Sequence, residues 1–165
     1  MTDKMVVLLV TTSTNAVRVA LEQVQTIKLL TIDCATPKVN VLEDIEHVFH
    51  DSMPDVLITY RCPFIIPKSI FEQTRLGAYN IHPSLLPKYP GLNPWEKIFH
   101  EKERESGVTL HQLTEHVDAG NIIFQSSFII KESDTIETSR NKADRVAAEL
   151  VIKLTHIAAD EQLHF

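Results

Sequence analysis

An unbroken apolar run, Met5-Val6-Val7-Leu8-Leu9-Val10-Thr11, is the part of the sequence that decides the fold class. Strands buried on both faces of a parallel sheet are continuous apolar runs, whereas half-exposed strands alternate. Similar strand-like segments recur at 27–32 and 56–60, and apolar residues at helical spacing lie between them, over 16–24 and 41–49. This alternation predicts an α/β fold, with a mostly parallel twisted sheet and helices on both faces.

The second half of the chain continues the pattern with longer irregular connections. Three further strands and a short helix are predicted, over 78–82, 108–113, 122–130 and 94–103. Apolar residues recur at intervals of three and four between Ala143 and Ala158, which predicts a long terminal helix. The 165 residues are close to the length of one domain, roughly 150 residues. We therefore expect 1–165 to form a single domain.

Composition and charge exclude several classes of protein. The apolar fraction of 44% and the charged fraction of 23% exclude a disordered or collagen-like chain. A nucleic-acid surface needs clustered Lys and Arg, whereas 16 basic against 22 acidic residues give a net charge of −6. No glycine precedes Gly77, so the first strand–helix unit has neither a GxGxxG nor a GxxxxGK[ST] loop. These absences argue against dehydrogenases and P-loop NTPases.

The cysteines and the first strand indicate the cellular compartment of the protein. Cys34 and Cys62 lie 28 positions apart without a CxxC pattern, which weighs against a disulfide framework and favours a reducing compartment. The apolar run at 5–10 is too short for a signal peptide or a membrane span. We expect a cytoplasmic protein with an intact N-terminus and no membrane partner. His47 and His50 share the polar face of a predicted helix. Their spacing could hold a metal ion, but a solvent-exposed helix face is the preferred interpretation, so no metal is predicted.

Asn80 and His82 are the first residues that suggest chemistry. They lie two positions apart on a predicted strand, so both side chains point to the same face of the sheet. A proline-rich loop follows this strand, and open α/β sheets bind ligands outside the carboxyl ends of their strands. The spacing therefore predicts a site at this loop, although on spacing alone a purely structural Asn–His pair is the more common explanation.

The run Asn80-Ile81-His82-Pro83-Ser84-Leu85-Leu86-Pro87 resembles the signature of the folate-dependent formyltransferases. The resemblance continues through Lys88-Tyr89-Pro90-Gly91 and resumes at Ser106-Gly107-Val108-Thr109-Leu110-His111 and Val117-Asp118-Ala119-Gly120-Asn121-Ile122-Ile123. This family includes the glycinamide ribonucleotide, methionyl-tRNA and amino-sugar formyltransferases. The resemblance implies a Rossmann-like catalytic domain that moves a formyl group from 10-formyltetrahydrofolate to an amine without a metal.

The same resemblance assigns the catalytic roles to Asn80, His82 and Asp118. The Asn80 amide and a ring N–H of His82 would stabilise the oxyanion that forms when the amine attacks the formyl carbon. Asp118 would orient the imidazole and take the proton of the attacking amine. Without the resemblance, an Asp before Ala119 and Gly120 is explained as a turn residue.

The resemblance also implies where the donor binds. The folate head group would lie between the loop after the third strand and the segment before Asp118. The predicted donor-binding residues are Pro63, Phe64, Ile65, Ile66, Phe71, Leu113, Thr114 and Val117. A plain hydrophobic core is the alternative for the two isoleucines and for Phe71. The stretch Arg61-Cys62-Pro63 departs from the small, glycine-containing stretch that is common in the family.

Acceptor-binding residues are predicted at Ser13, Thr14 and Asn15 after the first strand, and at Ser84 and Gly91. In the glycinamide ribonucleotide enzymes, a Gly-Ser-Asn loop after the first strand holds the substrate phosphate, and Ser13 to Asn15 stand at that place here. A helix N-terminus is a ready anion site. A simple helix N-cap by Ser13 or Thr14 is the alternative.

The acceptor is predicted to be a small primary amine and not a nucleic acid. The net charge of −6, the scattered basic residues and a chain that ends after its terminal helix motivate this expectation. Two alternatives stay open: a 10-formyltetrahydrofolate hydrolase, in which water replaces the amine, and a non-catalytic folate-binding relative. The oligomeric state is not predicted.

Overall fold

A computed structural model describes residues 4–12, 15–35 and 40–161, and these residues form a six-stranded sheet with helices on both faces. The strands are β1 (Met5–Thr11), β2 (Ile27–Asp33), β3 (Val56–Tyr60), β4 (Ala78–His82), β5 (Glu105–Gln112) and β6 (Ile122–Ile129). The helices are α1 (Ala16–Glu22), α2 (Val41–Ser52), α3 (Lys68–Phe71), α4 (Pro94–His100) and α5 (Ile136–Glu161). The predicted α/β fold is confirmed.

The order of the strands places a crevice next to β1. The order across the sheet is β2-β1-β3-β4-β5-β6. β2 therefore lies on one side of β1, and β3, which follows β2 in the chain, lies on the other side. β1 to β4 are parallel, and β5 is antiparallel to both of its neighbours. Thr11 pairs with Tyr60, and Tyr60 pairs with Ile81, so β1, β3 and β4 end at one edge. Ligands of open α/β sheets bind at such a reversal of strand order.

The two faces of the sheet carry separate apolar clusters. The α5-face cluster packs α1, α4 and α5 against the sheet, and its buried members include Val17, Trp95, Ile98, Ala147 and Val151. The α2-face cluster packs α2 and α3 against the other face, and its buried members include Ile45, Phe49, Ile70 and Phe71. Successive β1 residues enter opposite clusters, which explains why the run at 5–11 is apolar without alternation.

The start of β5 is the strand boundary that differs most from the prediction. β5 begins at Glu105, three residues before the predicted start, because Glu105 to Gly107 pair with the last residues of β6. Within the part of the chain that the structure describes, no helix has the length and apolar character needed to cross a membrane.

Candidate active site

A cavity of about 630 Å³ opens at the edge where β1, β3 and β4 end. Its lining comes from Thr12 after β1, from the loop after β3, from β4 and its following loop, from the segment between β5 and β6, and from Arg140 of α5. The cavity therefore lies where the strand order predicts a ligand site.

The structure brings Asn80, His82 and Asp118 together in this cavity. Nδ1 of His82 is 3.3 Å from Oδ2 of Asp118, and both side chains are almost fully buried. Nδ2 of Asn80 is 3.4 Å from Oδ1 of Asp118. The backbone N–H of Gly91 donates to Oδ2 of Asp118 at 2.7 Å. The three residues form one cluster, which we call the catalytic cluster, although their catalytic roles stay predictions.

Asn80 is oriented by the neighbouring strand. Asn80 pairs with Thr59 of β3, and the Thr59 hydroxyl donates to Oδ1 of Asn80 at 2.8 Å. The oxygen of the amide is therefore occupied, and the NH2 group faces Asp118. Both N–H groups of the Asn80 side chain therefore point into the catalytic cluster, as an oxyanion-binding role requires.

His111 joins the catalytic cluster, although no role was predicted for it. His111 lies opposite Asn80 in the antiparallel pairing of β4 with β5. Nε2 of His111 is 3.1 Å from Nδ2 of Asn80 and 3.4 Å from Oδ1 of Asp118, and Nδ1 is 2.9 Å from the Gln112 carbonyl. A carbonyl accepts only, so Nδ1 carries the proton in the neutral ring and Nε2 accepts from Asn80.

The ring of His82 is held differently from the prediction. Its Nε2 is 2.8 Å from the Tyr89 carbonyl, so both ring nitrogens face protein acceptors rather than an open position for an oxyanion. Burial lowers the pKa of His82 below its ordinary value, against the opposing effects of Asp118 and the Tyr89 carbonyl. The ring is therefore neutral at pH 7. Because both ring nitrogens are buried against protein oxygens, Asn80 is the better candidate for the oxyanion contact.

Asp118 is ionised in the same cluster. Burial raises the pKa of this carboxyl, but the nearby His111 side chain and the hydrogen bond from the N–H of Gly91 together lower it below its ordinary value. A carboxylate beside a neutral imidazole can attract positive charge on an attacking amine and receive its proton.

The lowered pKa of His82 predicts a pH-dependent stability. The unfolded chain binds a proton at this ring below about pH 6.5, whereas the folded protein binds it only at lower pH. The stabilisation is therefore complete above that pH and is lost as the pH falls through the lower pKa of the folded state. We expect urea unfolding between about pH 5 and 7 to show a smaller decline in unfolding free energy for His82→Gln than for the unaltered protein. Identical declines would contradict the assignment.

Most of the predicted donor-binding residues line the cavity. They are Pro63, Phe64, Ile65, Ile66, Leu113, Thr114 and Val117. Ile65 and Val117 are 67% and 59% exposed, so a buried core does not account for them, and exposed apolar side chains beside a cavity are typical of ligand contacts. Phe71 does not line the cavity. It is buried in the α2-face cluster, so the alternative of a plain core residue holds for it.

The predicted acceptor-binding residues are scattered. Ser13 and Thr14 lie outside the described residues. The side chain of Asn15 caps α1 by accepting from the N–H of Arg18 at 3.1 Å, and Asn15 does not line the cavity. Ser84 is fully buried and donates to the Lys88 carbonyl at 2.6 Å, so it braces the loop after β4. Of the predicted acceptor-binding residues that the structure describes, Gly91 alone lines the cavity.

The backbone around the cavity is strained. Arg61, Asn93 and Asp118 line the cavity with φ of 52°, 54° and 54°, and Tyr89, whose carbonyl contacts His82, has φ of 56°. Residues other than glycine rarely adopt this left-handed conformation, and such residues cluster at functional sites. Among the residues at 4–12, 15–35 and 40–161, no group of His, Cys, Asp or Glu is arranged to hold a metal ion.

Comparison with known proteins identifies the family. Residues 2–155 match the family model described as formyl transferase. The chain belongs to the formyl transferase family. The resemblance that the sequence motifs predicted is thereby confirmed.

Similar proteins agree with this family. The methionyl-tRNA formyltransferase of Staphylococcus epidermidis is 38% identical over 99 residues, which cover 60% of this chain and 32% of that protein. The methionyl-tRNA formyltransferase of Wolbachia sp. subsp. Drosophila simulans is 31% identical over 123 residues, which cover 74% of this chain and 41% of that protein. The chain thus spans 32% to 41% of the length of these two relatives.

Solved structures share the fold. A phosphoribosylglycinamide formyltransferase from Anaplasma phagocytophilum superposes with a TM-score of 0.77 at 21% identity, covering 96% of this chain and 89% of that one. A formyltetrahydrofolate deformylase from Pseudomonas syringae pv. tomato superposes with a TM-score of 0.79 at 18% identity, covering 97% of this chain and 63% of that one. At these identities the likeness extends to the fold alone.

The prediction of a small-amine acceptor and no nucleic-acid partner is wrong. Both curated relatives are named for methionyl-tRNA, which is a nucleic-acid acceptor. The net charge of −6 sums over the whole chain and does not describe the cavity, which Arg61 and Arg140 line. The position of the last residue carries no information, because the chain spans only part of its relatives.

Proposed function

We propose that residues 1–165 form a single formyltransferase catalytic domain, which transfers a formyl group from 10-formyltetrahydrofolate to the amino group of methionyl-tRNA. The catalytic cluster carries the proposal, because Asn80, His82 and Asp118 converge in a cavity of a chain that belongs to the formyl transferase family. The acceptor is taken from the names of the curated relatives. The free thiols of Cys34 and Cys62 support a cytoplasmic location.

Asn80 stabilises the charge that develops during the reaction. When the acceptor amine attacks, the formyl oxygen becomes an oxyanion. One N–H of Asn80 is held by His111 at 3.1 Å, whereas the contact with Asp118 at 3.4 Å is longer than an ordinary hydrogen bond. The second N–H is therefore the donor available to the oxyanion. A donor of this kind is typically worth about 10²–10³ in rate.

Asp118 and His82 move the proton. The bond between the formyl carbon and N10 of the folate breaks, and the bond to the acceptor nitrogen forms. The acceptor nitrogen loses one proton, and N10 gains one. The Asp118 carboxylate attracts the positive acceptor nitrogen, and the neutral imidazole of His82 at 3.3 Å shares the proton that leaves it. No metal and no covalent enzyme intermediate takes part.

A formylation assay tests this proposal. The full chain is incubated with 10-formyltetrahydrofolate and methionyl-tRNA, and the formyl-methionine released from the tRNA is measured together with free formate. We expect formyl-methionine to accumulate in proportion to enzyme, and uncharged tRNA to give none. Release of formate at the same rate without an acceptor would indicate a hydrolase. Folate binding without either product would indicate a non-catalytic relative.

A further inference from the structure

The cavity has two opposite walls. Ile66 and Leu113, which are predicted to contact the donor, pack with the α2-face cluster. Trp95 of α4 also lines the cavity, but it is buried in the α5-face cluster. Arg140 comes from α5 on that same side. We call these the donor wall and the α5 wall; the catalytic cluster, which comes from β4, β5 and the segment after β5, lies in the same cavity.

Arg140 is an unpaired cation on the α5 wall. Its side chain is exposed and lines the cavity. Within the described part of the chain, its guanidinium takes part in no hydrogen bond or ion pair. A guanidinium offers a planar fork of donors that matches a phosphate. The α5 wall therefore presents a free anion-binding group to the cavity.

Arg61 adds a second cation to the lining of the cavity. Nη2 of Arg61 is 2.6 Å from Oδ1 of Asp144, and the Tyr60 hydroxyl donates to the same oxygen. Asp144 lies one helical turn after Arg140, so the two residues share a face of α5. The single carboxylate of Asp144 is engaged by Arg61 and Tyr60 and does not neutralise Arg140. This corner of the cavity carries a net positive charge, in a chain whose net charge is −6.

We infer that Arg140, with Arg61 beside it, binds a phosphate of the 3′-terminal nucleotides of the acceptor and so positions the aminoacyl group at the catalytic cluster. The inference rests on the proposed function and names the contact that it requires. The α5 wall suits the acceptor because two of the predicted donor contacts, Ile66 and Leu113, lie on the opposite wall. The phosphate binds both cations, and Asp144 holds the Arg61 guanidinium in place.

Kinetics of Arg140→Ala test this inference, with Arg145→Ala as the matched control. Arg145 is exposed on the same helix, does not line the cavity and has no ion-pair partner in the described chain. We expect Arg140→Ala to raise the KM for methionyl-tRNA by about tenfold, with kcat and the KM for 10-formyltetrahydrofolate unchanged. Arg140→Lys should recover part of the loss. Arg145→Ala should change neither KM.

The salt dependence and a shorter acceptor identify the phosphate. Loss of one phosphate contact reduces the slope of log affinity against log salt by about 0.7–0.9. Methionyl-adenosine without a phosphate should be formylated equally well by Arg140→Ala and by the unaltered enzyme. A rise in the donor KM instead would assign Arg140 to the folate carboxylates. An unchanged slope, or an equal effect of Arg145→Ala, would overturn the inference.

Binding measurements separate this inference from the proposed function. If the unaltered chain does not formylate methionyl-tRNA, the proposed function fails, but fluorescence anisotropy of labelled tRNA still reports the contact. We expect weaker, less salt-sensitive binding by Arg140→Ala in that measurement also. Arg61→Gly is a second variant, because glycine adopts the φ of 52° at this position without strain. It should weaken tRNA binding without loss of stability from the backbone, and unchanged binding by both variants would overturn the inference.

Discussion

Replacing Asp118 by Asn is expected to lower the kcat for formyl transfer by about 10²–10⁴-fold. The amide keeps the size of the side chain and one acceptor oxygen, but it carries no charge and takes no proton. Asn also tolerates the left-handed backbone of this position, where φ is 54°, so the turn should persist. In the proposed mechanism the carboxylate acts on charge that develops in the transition state, so the loss should appear in kcat.

The affinity for the donor decides whether this interpretation holds. We expect the dissociation constant of 10-formyltetrahydrofolate, measured by fluorescence quenching, to change by less than about threefold in Asp118→Asn. Glu132→Gln is the control, since it removes a carboxylate that is 84% exposed and pairs with Arg104, and neither residue lines the cavity. Equal losses of donor affinity and kcat would show that Asp118 is a wall of the pocket.

Gly120→Ala is expected to damage both the stability and the site. A Cβ at this position would lie 1.8 Å from the backbone oxygen of Gln112, a contact that no side-chain movement relieves. The turn between β5 and β6 would have to shift, and Asp118 lies two residues before the glycine. We expect a loss of about 3 kcal/mol or more of unfolding free energy and at least a hundredfold loss of kcat/KM, because about 1 Å of displacement is costly in catalysis.

Urea unfolding and steady-state kinetics measure the two effects separately. Ala119→Ser is the matched control, because Ala119 is exposed in the same turn. Its unfolding free energy should stay within about 0.5 kcal/mol of the unaltered protein. A Gly120→Ala variant with unaltered stability and activity would show that the turn relaxes without moving Asp118.

The sequence predicts the sheet and the Asn80–His82 part of the site, because both depend on local patterns. The unbroken apolar run at 5–11 reports burial on both faces, and both apolar clusters use it. The two-residue spacing of Asn80 and His82 places both side chains on one face of a strand. Asp118 lies 36 positions after His82, and no periodicity connects them. Its place in the cluster came from the family resemblance alone.

His111, Phe71 and the acceptor could not be predicted from local patterns. His111 joins the cluster through the antiparallel register of β5 against β4, and sequence spacing does not specify which residues face each other across two strands. Phe71 satisfies the same apolar pattern whether it lines a pocket or fills a core. Net charge failed to predict the acceptor, because a sum over the whole chain does not show where cations such as Arg140 lie.

The antiparallel pairing of β4 with β5 also determines when the active site assembles during folding. β1, α1 and β2 are close along the chain, so that unit can form early. The catalytic cluster needs contacts between residues 80–82 and residues 111–118, across a loop whose closure costs entropy before any contact is gained. We therefore expect enzymatic activity to return with the last kinetic phase of refolding, after most of the helical circular dichroism signal has recovered.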